Sequence, residues 1–293
     1  MGVLMESPVG PRTVLNGREV DYFAGTGYLG LQSRPEVIGA AMDTIQRYGL
    51  FTATSRAGFG EHPVYLELER EACALLEVEK VLYFASGYLG MAVLTQGTAG
   101  QYDHIFIDAS AHYSLWDAAQ ATNLPITPFH HRQAQSLAEH LRQELQPHQR
   151  PLVLSDGIFP VSGEIAPLPE YHALVERFGG RVYLDDAHAL GVLGEHGRGT
   201  AEYFGLEDKF CRNCGTLAKA LGGFGGILFG EKDWVENIDK NSRACAGASP
   251  TPLPVAAAAA RALALARAEP QLRQSCVKTC DGCARECAHW AGR

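Results

Sequence analysis

Residues 183–200 read YLDDAHALGVLGEHGRGT. The apolar run RVYL at 181–184 stops at two acids, Asp185 and Asp186, with His188 three positions past the first. Acids at the end of a strand built for burial are costly unless something offsets them. Three arrangements can do so: a strand-end turn with solvated acids, a cation shared by Asp185 and His188, or a carboxylate facing a cationic heterocycle. Asp-x-x-His is a common spacing, and alone it selects none of these.

Working outward, the same pattern recurs. Residues 81–85 (VLYFA), 104–107 (HIFI), 152–155 (LVLS) and 225–230 (GGILFG) also have the short apolar character of buried strands. Between them, residues 63–76, 88–98, 133–145 and 168–178 carry apolar positions at helical spacing. Strand–helix alternation predicts an α/β fold, a mainly parallel sheet with helices on both faces. Chemistry in such sheets sits at the carboxyl ends of the strands. The break PTPLP at 250–254 precedes an alanine-rich helix, 255–268, that leaves this layer.

The chain has 293 residues, 46% of them hydrophobic, which suggests one large domain or a large domain plus part of another. A formal net charge of −8 gives no electrostatic support to a nucleic-acid or anionic-membrane partner. No apolar run reaches the roughly 20 residues that span a bilayer. The start, MGVLMESPVGPRTV, lacks the basic and apolar regions of a secretory signal. These features read as cytoplasmic.

Three further pieces lie beside strand ends. Lys219, in GTLAKALGGFGG, is flanked by Leu217, Ala218, Ala220 and Leu221, an apolar setting that depresses an amine pKa and suits Schiff-base chemistry. Taken singly it could equally be an exposed helix lysine. Ser86, Gly87 and Tyr88 follow a strand and precede a helix, where small residues leave N–H groups for an anion, although Ser86 also suits a plain N-cap. His112, in IDASAHYSLWDAA, again follows a strand. An anion turn, a ring-stacking histidine, a carboxylate and an amine, in that order, form the set that pyridoxal 5′-phosphate (PLP) requires.

The segments YLGLQSRPEVI, TSRAGFGEHPVYLELE, FASGYLGM, DASAHYSLWDAA, SDGIFPVSGEIAPLP, YLDDAHALGVLGEHGRGT and TLAKALGG resemble, in order, those of the α-oxoamine synthases, fold-type I PLP-dependent transferases. The resemblance covers roughly residues 15–275. It implies that Lys219 bonds the cofactor and moves the α-carbon proton, and that Asp185 pairs with the pyridine nitrogen. By the same token His188 hydrogen-bonds the phenolic oxygen, His112 stacks on the ring, and Ser86, Gly87, Tyr88 and Thr216 take the phosphate. Asp156, in SDGIFPVSG, joins the cofactor-binding set. Ser249 or Thr251 is expected to reach the phosphate of a neighbouring subunit, which implies a homodimer. The implied reaction condenses an amino acid with an acyl-CoA, with loss of CO2. An aminotransferase or other PLP reaction is the alternative, and a PLP-binding fragment without turnover is a third reading.

The chain departs from that family at three places. Thr26 stands for an asparagine that contacts the amino-acid substrate, Pro160 for a serine near the cofactor, and Met91 closes a stretch that ends otherwise in the family. One motif misleads. Residues 25–30, Gly-Thr-Gly-Tyr-Leu-Gly, match G-x-G-x-x-G, but Pro35 delays the next helix and no acid ends a strand about 20 residues on, as a dinucleotide site needs. A nicotinamide-dependent oxidoreductase is therefore the weaker enzyme reading.

Cys276, Cys280, Cys283 and Cys287 space as C-x3-C-x2-C-x3-C. A metal or redox site is one reading. The stronger one is a slipped reading frame. Cysteine codons begin TG, and a one-base shift turns each into Leu, Met or Val within a leucine- and arginine-rich amphipathic helix. The sequence is then expected to divide into an N-terminal segment (1–45), a PLP-binding large domain (46–252) and an interdomain helix opening a truncated C-terminal domain (253–293). The arginine that holds the substrate carboxylate would lie in the missing part. No metal ligand set is assigned.

Overall fold

The computed structural model describes residues 2–207 and 211–274. The cysteine-rich stretch from Cys276 to Cys287 lies outside the described residues. A hairpin, β1 (Arg12–Leu15) and β2 (Arg18–Asp21), turns through Asn16 and Gly17, both at positive φ. Two helices follow, α1 (Pro35–Tyr48) and α2 (Pro63–Leu76). Each begins on a proline, whose fixed φ and missing N–H suit the first turn. The His62 ring caps α2 by accepting the Val64 N–H, and Glu77, at φ 54°, ends it. Residue 45, the expected end of an N-terminal segment, lies inside α1.

The main layer then runs β3 (Lys80–Phe84), α3 (Gly90–Gly97), β4 (His104–Asp108), α4 (Tyr113–Gln120), β5 (Ile126–Phe129), α5 (Ala134–Glu144), β6 (Pro151–Asp156), α6 (Leu168–Glu176) and β7 (Arg181–Asp185). After a glycine-rich loop come the short α7 (Thr200–Tyr203), β8 (Cys211–Thr216), β9 (Gly226–Gly230), α8 (Lys232–Asn241), α9 (Arg243–Ala246) and α10 (Leu253–Ala268). The seven-stranded sheet has the order β3-β9-β8-β7-β6-β4-β5. Neighbours from β8 to β5 pair in parallel, and β9 alone among them runs against both of its partners. This is the expected α/β architecture, the fold-type I large domain with a mainly parallel central sheet.

Alternation along the strands sorts the core into layers. Leu82, Ile105, Ile107, Leu152, Leu154, Tyr183 and Leu228 face α3, α4 and α8. Phe106, Val153, Val182 and Leu184 face α5 and α6 on the other side. There, beyond β9, Val81, Tyr83, Ile227 and Phe229 meet α2 and α10. The alanines of α10 keep its buried side narrow: Ala256, Ala259 and Ala262 are fully buried. Parallel pairing puts the carboxyl ends of β4, β6, β7 and β8 on one edge, where the antiparallel β9 begins and β3, antiparallel to β9, ends.

Candidate active site

That edge encloses a cavity of about 310 Å³. Ser86, Gly87, Tyr88, His112, Asp156, Asp185, His188, Thr216 and Lys219 all line it. Asp156, Asp185 and Thr216 are the last residues of β6, β7 and β8, while Ser86 and His112 follow β3 and β4 by a few residues. Five strand ends therefore converge on one space.

The turn after β3 is held from within and from behind. Ser86 Oγ accepts the Tyr88 N–H at 3.3 Å, opening the helical run that continues into α3. Helix dipoles favour an anion at such an end. Gly87 lies against Thr216 so closely that a Cβ there would stand 2.6 Å from Thr216 Cβ. Thr216 in turn donates its hydroxyl to the Gly225 carbonyl (3.0 Å) and accepts the Ala218 N–H (3.2 Å). Tyr88 spans from this turn to α4, its hydroxyl bonded to Asp117 and its ring edge-on to His112 at 5.9 Å.

His112 caps α4, with Nδ1 accepting the Ser114 N–H, and its ring is exposed at the cavity wall. Its backbone N–H donates to Asp156 Oδ2 at 2.8 Å. Asp156 and Asp185 are register partners on adjacent strands, and both are buried. Burial, then the charge of Asp185, pushes the Asp156 carboxyl up to about 8. Burial also raises Asp185, against the opposing pull of the Ala187 N–H and of the Lys219 charge. Across the cavity, burial lowers the Lys219 amine.

The two acids of the DDAH stretch separate here. Asp186 faces away from the cavity and accepts from Thr200 N–H (2.9 Å), Thr200 Oγ1 (2.7 Å) and Asn213 Nδ2 (2.8 Å). Burial still raises it to about 6. It anchors the loop 187–199 and leaves Asp185 to the cavity. Among the described residues, no group of three or more His, Cys, Asp or Glu side chains is placed to hold a metal ion.

Ser249 and Thr251 do not join this site within the chain. They line a separate cavity of about 320 Å³ with Arg56, Lys80 and Asp239. The start of α10 holds them there: Leu253 N–H bonds the Leu50 carbonyl, and Tyr65 donates to the Thr251 carbonyl. Among the described residues, no hydrogen bond of normal geometry reaches the buried Thr251 Oγ1. Of the three departures, Thr26 and Pro160 line the cavity around Lys219, whereas Met91 is the second residue of α3 and fully buried in the core. Sequence reasoning passed over Ser114, Phe224 and Tyr28. Ser114 and Phe224 line the cavity, and Tyr28 touches His188. The signal for Tyr28 lay in the YLGL turn, whose neighbours Leu29 and Leu31 are buried.

These residues fit PLP by their own chemistry. A buried carboxylate that keeps a raised pKa favours a ring cation beside it, a desolvated amine suits bonding to an aldehyde, and the tight turn at 86–88 suits a phosphate.

The aminotransferase class I and II family model matches residues 25–290. The chain is 33% identical to the 8-amino-7-oxononanoate synthase of Thermoanaerobacter pseudethanolicus over 240 residues, 82% of this chain and 61% of that one. It is 34% identical to 8-amino-7-oxononanoate synthase 1 of Bacillus subtilis over 239 residues, again 82% and 61%. It thus spans about three fifths of the length of these curated relatives. A serine palmitoyltransferase from S. paucimobilis superposes with a TM-score of 0.86 at 26% identity, covering 93% of this chain and 69% of that one.

Proposed function

Because the chain belongs to the aminotransferase class I and II family, in its α-oxoamine synthase branch, we propose that it binds PLP around Lys219 and condenses an amino acid with an acyl-CoA. The products would be an α-amino ketone, CO2 and free CoA. The observation that carries this reading is the convergence of Lys219, Asp185, His112 and the 86–88 turn on one cavity. Bound PLP supplies an electron sink for the pair left when a bond at the amino acid's α-carbon breaks.

The chain's own residues then take distinct work. Asp185, buried and fixed by the Ala187 N–H, holds a positive ring nitrogen in place. Lys219, with its amine depressed by burial, carries a proton to and from the α-carbon. His112 would cover one face of the ring, and the turn at Ser86 and Gly87 would hold the phosphate. Thr26 keeps a hydroxyl but lacks the amide of the family's asparagine, and Pro160 lacks the hydroxyl of the family's serine near the cofactor, so both alter the polar contacts of this cavity.

A cytoplasmic homodimer belongs to this reading. Ser249 and Thr251 lie off the cavity of their own chain, and the buried Thr251 hydroxyl suits a phosphate brought by a second copy. The described cysteines, Cys73, Cys211, Cys214 and Cys245, are all free thiols, as in a reducing compartment. No helix among the described residues is long and apolar enough to cross a membrane.

The test is to incubate the PLP-loaded chain with glycine, alanine or serine and a series of acyl-CoAs, following CoA release and CO2 together. Coupled release with one pair supports the proposal. Transfer of the amino group to a keto acid without CoA release would instead identify an aminotransferase.

A further inference from the structure

The glycine-rich stretch 25–30 is left without a role once a dinucleotide is set aside, and the structure puts it against the active-site loop. Gly222, three residues past Lys219, sits at φ 63° with the place of its missing Cβ 2.5 Å from Leu31 Cβ and 2.7 Å from the Gln32 nitrogen. Any side chain at 222 would push the two loops apart. Leu31 is fully buried and Leu29 nearly so, so the YLGL turn is pinned to the lysine loop by apolar burial. Besides Thr26, which lines the cavity, the turn places Tyr28 against His188. Its hydroxyl stands 2.7 Å from His188 Nδ1, across 160 residues of chain.

A neutral imidazole has one N–H and one lone pair, and which nitrogen holds the proton is set by the partner of the other. An imidazole nitrogen is a much better acceptor than a phenol oxygen, so the favoured arrangement is Tyr28 O–H donating to Nδ1. That leaves the proton on Nε2. His188 is kept neutral because it is half-buried and because Lys219 and His112, the titratable groups facing it, are both potential cations.

We propose that Tyr28 is a positioning residue that locks His188 as the Nε2–H tautomer, so that the cavity always offers a hydrogen-bond donor at this wall. The ligand this donor would serve is an anionic or phenolic oxygen on the ring of the bound cofactor, and to that extent the inference rests on the PLP reading above. In this way the N-terminal loop couples to the catalytic sheet through one proton.

The experiment is 15N NMR of the histidine side chains in the cofactor-free chain at neutral pH, with His188 assigned by a His188→Gln variant. The expected wild-type result is one tautomer, with Nδ1 unprotonated and Nε2 bearing the proton. Tyr28→Phe should turn this into a mixture, with thermal stability and amide signals elsewhere unchanged. Its affinity for PLP should weaken roughly fivefold, the size of one neutral hydrogen bond. A wild-type His188 protonated on Nδ1 overturns the proposal, as does an unchanged tautomer in folded Tyr28→Phe. If Tyr28→Phe fails to fold, the wild-type tautomer alone decides. Because the tautomer is read without cofactor, failure of PLP binding would count against the functional reading and leave this result standing.

Discussion

Gly87→Ala tests the phosphate turn and its backing together. The added methyl would sit 2.6 Å from Thr216 Cβ, 2.7 Å from its Oγ1 and 3.4 Å from its Cα. Carbon atoms pack at about 3.5–4.0 Å, so one side must yield by about 1 Å. Thr216 cannot rotate away freely, being buried and bonded to the Gly225 carbonyl and the Ala218 N–H. Overpacking of this kind costs about 1–3 kcal/mol. Loss of one of the two threonine bonds adds about 1 kcal/mol. The expected destabilisation is therefore about 2–4 kcal/mol, read as a lower urea midpoint at unchanged slope. If the turn moves instead, it loses a hydrogen bond to a charged phosphate, and PLP affinity falls roughly ten- to hundredfold. Urea titrations with and without PLP, plus a PLP binding isotherm, measure both. A variant with the wild-type midpoint and wild-type PLP affinity would refute the close approach and the role given to the turn.

Lys219→Ala should remove the visible absorbance of the lysine-bound cofactor, and an unchanged spectrum would show that another amine carries it. Asp185→Asn should keep PLP bound yet lose at least about 100-fold in turnover, because a neutral partner no longer holds the ring nitrogen positive; near-normal turnover removes Asp185 from that role. Asp156→Asn probes pH dependence. The folded-state pKa of Asp156 is raised, from 3.8 to about 8. Its protonated form is thus favoured by folding, and its contribution to stability is full below pH 4 and lost as pH rises towards 8. Cofactor-free wild-type protein should lose stability over that window, by up to about 6 kcal/mol, and Asp156→Asn should flatten the slope. Parallel pH–stability curves for the two proteins would contradict the assigned shift.

Much of this was legible in the chain because local signals and tertiary demands agree. Helix α2 spans residues 63–76, as its spacing predicts, since His62 and Pro63 start it and Glu77 stops it. The buried strands read as apolar runs because helices cover both of their faces. Strand β8 escaped notice: CRNCGT carries an arginine, an asparagine and a glycine, yet lies centrally between β7 and β9. Its two cysteines serve there as small apolar groups. Helix α1 begins on Pro35, the residue expected to delay it, and what fixes it is its contact with α10, more than two hundred residues on. Ser249 and Thr251 mark the limit of motif reading. The residues match, but where they act depends on packing around α10.

The paired acids show why a motif alone could not assign the site. Consecutive residues at a strand end point to opposite sides, so Asp185 and Asp186 enter different surroundings although both are buried. Asp186 meets three donors that belong to the scaffold, and its burial is offset by holding the loop from Ala187 to Thr200 in place. Asp185 accepts one backbone N–H, from Ala187, and its main opposite charge is Lys219 across the cavity. A lysine that bonds a carbonyl no longer offers that full charge in the same place. On the proposed reading the carboxylate would then depend on a cation brought by the ligand, which a ring protonated at its nitrogen would supply. The burial that makes Asp185 expensive would thus make it a selective partner for a cationic heterocycle. Asp186 follows none of the three arrangements open to the DDAH stretch, being a buried acid satisfied by scaffold donors; the third, a carboxylate facing a cationic heterocycle, is the one we propose for Asp185.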